Sequence, residues 1–284
     1  MQIFTEISSI RTHLRQFRNS GTTIGLVPTM GALHSGHIEL VRASVRDCDR
    51  TIVSVFVNPI QFNNSEDLEN YPRTFSKDKK MLEDAGADMI FYPSEKELYP
   101  QEPTIDLNFG EMERVMEGKY RPGHFKGVAI VVSKLFNIIQ PDRAYFGQKD
   151  FQQLQIIKSL KNNLSFPVEV ISVPTVREKN GLAMSSRNQR LSKKGKEQAS
   201  LLYQSLKEAE NMIKKEVPPK KIKNRINVIF KENKAFSLEY FEIVDTRNLR
   251  AIETYDTLDA VAICIAAYLE GIRLIDNLYL RLKS

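Results

Sequence analysis

The chain has 284 residues, 42% of them hydrophobic and 27% charged, with a net charge of +6. It is long enough to bury a sizeable core and too apolar to stay disordered. No run of about 18 apolar residues occurs, and the amino end lacks a basic segment leading into an apolar core and cleavage site, so a cytoplasmic protein is expected. Cys48 and Cys264 are far apart and form no CxxC pair, which argues against a disulfide framework or structural zinc and for two buried thiols.

The excess of positive charge suits a nucleic acid or a small polyanion equally well. Its densest cluster, Lys214, Lys215, Lys220, Lys221 and Arg225 around Pro218-Pro219, lacks interleaved aromatics and reads as a solvated helix boundary.

In chain order, residues 23–28 predict a strand. A glycine-containing turn follows, and Ile38, Leu40, Val41 and Val45 then predict a helix. A second strand over residues 51–57 ends at Asn58-Pro59, completing a βαβ unit. Helix over 74–85, strand over 87–92, helix over 126–139, strand over 143–146, helix over 151–160 and strand over 168–173 continue the alternation. That grammar predicts an α/β fold with a Rossmann-like parallel sheet covered on both faces. Past Pro174 it changes: helices over 193–215 and 219–233 precede strands over 238–244, 260–268 and 273–278. Two units are expected, a Rossmann-like domain over 1–176 and a smaller C-terminal α+β lid domain over 177–284.

The segment Pro28-Thr29-Met30-Gly31-Ala32-Leu33-His34-Ser35-Gly36-His37 lies at the carboxyl end of the first strand of that unit, where open α/β sheets bind ligands. His34 and His37 are three apart and project from one side of a first helical turn. Glycines permit close backbone approach, and the helix start offers amides and a positive dipole end to phosphate. Zinc would need a third ligand that nothing nearby supplies.

This decapeptide resembles the HIGH-type nucleotide-binding signature of nucleotidyltransferases and class I aminoacyl-tRNA synthetases. Within that superfamily, Phe56-Val57-Asn58-Pro59-Ile60-Gln61-Phe62, Arg121-Pro122-Gly123-His124-Phe125, Phe146-Gly147-Gln148-Lys149-Asp150, Pro174-Thr175-Val176-Arg177-Glu178 and Gly181-Leu182-Ala183-Met184-Ser185-Ser186-Arg187-Asn188 are similar to the pantothenate synthetase family. The similarity is dense from Thr23 to Leu191; the remainder matches only in length and general character. Gln148 stands where the family usually has glutamate.

The resemblance implies an ATP-dependent ligase that activates (R)-pantoate as a pantoyl adenylate and transfers the acyl group to β-alanine. It carries ATP contacts onto Met30, Gly31, Ala32, Leu33, His34, Ser35, Gly36 and His37, onto Gly147, Gln148, Lys149 and Asp150, and onto Val176, Met184, Ser185, Ser186 and Arg187. Pantoate contacts fall on Gln61 and Gln153, with Pro28, Met30, Phe62, Val131 and Val132 as an apolar wall, and Gln61 also stands beside the β-alanine site. His37, His34 and Lys149 are the catalytic candidates, with Lys149, Arg187 and both histidines screening the reacting anions.

Ser185-Ser186-Arg187 occupies the place of a mobile phosphate-wrapping loop, Asp150 suits the ribose hydroxyls or a helix cap, and Tyr71 and Arg121 are further candidates. His124 and His13 read as structural and surface residues. Mg2+ is implied as the companion of ATP with no protein ligands named, and a homodimer is implied by the family alone. Competing readings are a phosphopantetheine-type adenylyltransferase, which has no reason for the Asn-Pro-Ile-Gln-Phe block, and a class I synthetase. A third is a nucleic-acid binding module on a degenerate scaffold.

Overall fold

The protein is described by a computed structural model covering residues 1–18, 20–63 and 65–282. The chain runs β1 (Gln2–Phe4), α1 (Ile7–Arg18), β2 (Ile24–Thr29), α2 (Ser35–Asp47), β3 (Arg50–Val55), α3 (Ser65–Glu69), α4 (Phe75–Asp84), β4 (Met89–Phe91), α5 (Glu95–Leu98) and α6 (Met116–Tyr120). It continues with α7 (His124–Ile139), β5 (Arg143–Gly147), α8 (Phe151–Asn163), β6 (Glu169–Val173), α9 (Lys193–Gln198), α10 (Ser200–Ile213) and α11 (Pro219–Glu232). Three strands close it: β7 (Phe236–Asp245), β8 (Ala260–Leu269) and β9 (Ile272–Arg281).

Six parallel strands form one sheet in the order β1-β4-β3-β2-β5-β6. Strand order reverses at β2, which has β3 on one side and β5 on the other. Such a switch point leaves a crevice outside the carboxyl ends of the strands, here just past Thr29 and Gly147. One face of the sheet packs on α1, α7 and α8, the other on α2 and α4. Gly25 lets α2 lie against β2, because a Cβ there would fall 2.1 Å from Ser44 Oγ.

Strands β7, β8 and β9 form a separate antiparallel sheet covered by α10 and α11. Its other face meets the first half through Met116 and Phe151, which pack with Val244, Ala262 and Cys264. Covered on both sides, β8 can be apolar at nearly every position. Two expectations need correction: β1 and α1 precede the first predicted strand, and the helix expected over 193–215 breaks at Ala199 into α9 and α10. Cys48 is half-buried rather than buried, while Cys264 is buried. The basic cluster does bracket a helix start, with Pro219 in the first turn of α11, Lys214 bonded to Glu210 and Arg225 to Glu208.

Candidate active site

The turn between β2 and α2 is shaped from beneath by a carboxylate. Gly31 and Ala32 both have positive φ, +77° and 50°, a conformation that glycine tolerates and alanine resists. Asp78, 1% exposed on α4, holds it by accepting hydrogen bonds from the amides of Ala32 (2.9 Å) and Leu33 (2.8 Å). Thr74 donates its hydroxyl to the same carboxylate, and the Gly31 amide donates to Thr29 Oγ1. Gly31, Ala32 and Leu33 therefore form the buried frame of the turn, whereas Met30, His34, Gly36 and His37 line a cavity of about 250 Å³ at the crevice. Ser35 is exposed beside the cavity, and its hydroxyl donates to Met184 Sδ.

His34 caps α2: its Nδ1 accepts from the Gly36 amide at 3.1 Å, and His37 Nδ1 accepts a longer bond from the His34 amide at 3.4 Å. A Cβ on Gly36 would strike the His34 ring at 2.8 Å, so glycine is what allows the cap. With both Nδ1 atoms accepting, each neutral ring carries its proton on Nε2 as a donor. The ring centroids are 4.1 Å apart. Burial, then the positive charge of Lys149, pulls His34 down to about 4. Burial, then His34 and Lys149, pulls His37 to about 3. At neutral pH the pair is an uncharged double donor.

Lys149 follows β5, its side chain 18% exposed and its ammonium 3.9 Å from the Asp150 carboxylate. Gly147, Lys149 and Asp150 line the cavity, whereas Gln148 does not. Asn277 of β9 donates its side-chain amide to the carbonyls of Gln148 (3.1 Å) and Lys149 (2.6 Å), so the C-terminal sheet fixes this segment. The neighbouring Asp276 accepts two bonds from Arg177, at 2.6 and 3.0 Å.

Val176, Met184, Ser185, Ser186 and Arg187 complete this end of the cavity. The Met184 amide donates to the Val176 carbonyl at 2.9 Å, folding the chain after β6 back upon itself. Ser185 caps the short 3-10 turn Ser186–Arg190 through the Arg187 amide, and the Arg187 guanidinium pairs with Asp67 of α3 at 3.2 Å. Ser186 hydrogen-bonds Tyr71, whose hydroxyl burial holds above its ordinary pKa.

The opposite end is amide-rich within an apolar wall. Gln61, 7% exposed, accepts from Asn58 Nδ2 at 3.0 Å and turns its own amide to Met30 Sδ at 2.9 Å. Asn58 is itself held by the Gly127 carbonyl and the Tyr99 hydroxyl. Gly127 brings α7 against the Gln61 backbone, where a Cβ would approach Gln61 Cα to 2.6 Å. His124 is buried, with Nδ1 bonded to the Gln61 carbonyl (2.9 Å) and Nε2 to Arg121 (3.1 Å). Gln153, Pro28, Phe62, Val131 and Val132 line the same space.

Sequence reasoning missed Asp78 and Asn277 entirely, and quoted Asn58 only as part of a block. It also missed Gln152, which holds the 112–117 segment by accepting from the Glu117 amide and donating to the Met112 and Val115 carbonyls. The Asn58-to-Gln61 spacing in a short helical turn was the one signal that could have revealed a member of this set.

Residues 2–279 match the model of the Pantoate-beta-alanine ligase family. A pantothenate synthetase of Cytophaga hutchinsonii is 46% identical over 275 residues, covering 96% of this chain and 97% of that protein. One from Porphyromonas gingivalis is 44% identical over 278 residues, covering 98% and 99%. Among solved structures, the pantothenate synthetase of Thermus thermophilus superposes with a TM-score of 0.91 at 37% identity, covering 98% of this chain and 99% of that one. The pantoate-beta-alanine ligase of Francisella tularensis, solved with beta-gamma ATP and beta-alanine, gives 0.79 at 34% identity, covering 98% and 97%. The likeness thus runs through the C-terminal sheet as well as the motif-bearing half, and the chain belongs to the pantoate-beta-alanine ligase family and is a ligase.

Proposed function

We propose that this ligase carries out the family's pantothenate-forming ligation in two steps, through a pantoyl adenylate. The observation that supports the reading most directly is the two-ended cavity, with nitrogen donors at His34, His37, Lys149 and Arg187 and the amides of Gln61 and Gln153 in an apolar wall. One end suits a triphosphate, the other a small branched hydroxy acid.

In the first step a pantoate carboxylate oxygen attacks the α-phosphorus of ATP. The new P–O bond forms as the bond to pyrophosphate breaks, and pyrophosphate leaves with the electron pair. Attack joins two anions, so the site must supply positive potential without giving up a proton. Lys149 supplies charge, and the two Nε2–H groups supply donors that need no reorganisation. Both histidines act here as hydrogen-bond donors to phosphate. Mg2+ bound to the triphosphate would neutralise its charge, and it would be held by phosphate oxygens and water, because the chain's nitrogen donors suit phosphate oxygen rather than the ion itself.

In the second step the β-alanine amine attacks the acyl carbon, the C–N bond forms, and AMP departs with the electrons of the acyl C–O bond. One proton leaves the ammonium to free the attacking amine and a second leaves the nitrogen as the amide forms, and both are released to water. Gln61, buried and oriented by Asn58, stands beside both acyl substrates in this reading. Asp150, on the exposed rim, accepts the ribose hydroxyls, and Ser185, Ser186 and Arg187 wrap the outer phosphates. The same family membership supports a cytoplasmic homodimer, and the two sheets support a division into units over 1–176 and 177–284.

The test is exchange of labelled pyrophosphate into ATP. Exchange should require pantoate and proceed without β-alanine; exchange that appears only when β-alanine is added would exclude the adenylate route.

A further inference from the structure

A second cleft, of about 440 Å³, opens beside the main cavity and shares with it Glu117, Arg121, Lys149, Asp150, Ser185 and Arg187. Arg121 stands at this junction with its side chain 21% exposed. A guanidinium has five N–H donors, and among the described residues Arg121 commits one of them, to His124 Nε2 at 3.1 Å.

Glu117 lies 3.9 Å away but does not consume the rest. Its carboxylate already accepts two bonds of 2.7 Å from Arg273 and one of 2.8 Å from Tyr240. A largely buried guanidinium with donors to spare on a cavity wall is a site for an anion, and its fork matches a carboxylate.

The chemistry leaves one anion unassigned. The triphosphate has His34, His37, Lys149 and Arg187, and the pantoate carboxylate faces the α-phosphorus. The carboxylate of β-alanine has no cation of its own. Once an adenylate fills the main cavity, the amine substrate must also arrive by another opening, and the second cleft meets the first at Arg121. The connection to the acyl site is a short hydrogen-bonded chain. Because His124 Nε2 accepts from Arg121, its Nδ1–H donates to the Gln61 carbonyl at 2.9 Å, placing Arg121 and Gln61 in fixed register.

We propose that Arg121 binds the carboxylate of β-alanine arriving through the second cleft, and so selects this amine over amines without that group. This rests on the two-step reading above, and the experiment separates the two. Arg121→Ala and Arg121→Lys are assayed for pantoate-dependent pyrophosphate exchange, which needs no β-alanine, and for ligation of β-alanine against propylamine. Arg121→Ala should lower exchange far less than it impairs ligation, with the KM for β-alanine rising roughly ten- to a hundredfold and its advantage over propylamine collapsing. Arg121→Lys, which keeps charge without the fork, should fall between and decides the matter if the alanine variant does not fold. An unchanged KM for β-alanine, or exchange that falls in parallel with ligation, overturns the assignment. Failure of exchange in the unmodified enzyme would instead sink the adenylate reading.

Discussion

The carboxylate of Asp78 and the amide of Leu33 are 45 positions apart in sequence and 2.8 Å apart in space. With the Ala32 amide on the other oxygen, that bond makes the turn between β2 and α2 a joint product of two helices, α2 and α4. Asp78→Asn replaces one acceptor by a donor aimed at a donor, leaving a buried amide unpaired. The expected loss is about 1–3 kcal/mol of stability. Pyrophosphate exchange should fall about a hundredfold, since a small displacement of reacting groups has that effect. Urea unfolding and exchange on the same variant check both; full exchange in a destabilised protein would reduce Asp78 to a structural role.

The histidine pair dictates a pH dependence. A depressed pKa means the protonated rings are disfavoured in the folded protein, so His34, at about 4, and His37, at about 3, stay neutral throughout the range in which an ordinary histidine titrates. Exchange should therefore show no histidine inflection between pH 5 and 8. As pH falls below about 6.5, the unfolded chain takes up protons that the folded one refuses, and stability should decline until the folded pKa values are reached. An inflection near pH 6–7 that disappears in His37→Gln would mean that this ring transfers a proton after all.

Much of this architecture is legible in the sequence, for reasons that differ by element. Strands β2, β3 and β5 are apolar runs because both sheet faces are covered, and their burial leaves little ambiguity. Strand β1 has three residues, too few to carry a period, and the break at Ala199 lies within a stretch whose helical pattern continues on both sides. That His34, His37 and Lys149 meet at one cavity is legible because each lies just past the carboxyl end of a strand. Asp78 and Asn277 are not: in sequence each looks like a surface polar residue, and each bonds to backbone 45 to 129 positions away.

Arg187 is expected to reach phosphate, yet here it pairs with Asp67, both side chains 36% exposed. A phosphate brought to Arg187 would meet the Asp67 carboxylate on the same guanidinium, so the two anions oppose each other there. A pair this exposed is worth about 0.2–1 kcal/mol. Asp67→Ala should thus lower the KM for ATP by about one and a half- to fivefold, the same energy read as affinity. Arg187→Ala should raise it. A weaker grip on ATP in Asp67→Ala would show that the aspartate helps to hold the nucleotide instead of competing for Arg187.

Asn277 gives the C-terminal sheet a direct hold on the segment that carries Lys149, through its bonds to the carbonyls of Gln148 and Lys149. Arg177 and Asp276 brace the same strand, with the Arg177 guanidinium 4.0 Å over the Tyr203 ring. If the sheet serves to aim Lys149, Asn277→Ala should lower the rate of exchange without raising the KM for pantoate, because it loosens the charge that acts in the transition state. Lys149→Ala should lower it further, by about two to three orders of magnitude, with unfolding unchanged. Combining the two substitutions then gives the decisive comparison: with Lys149 already absent, removing Asn277 should do little more. Additive losses would mean that Asn277 acts on something other than the lysine.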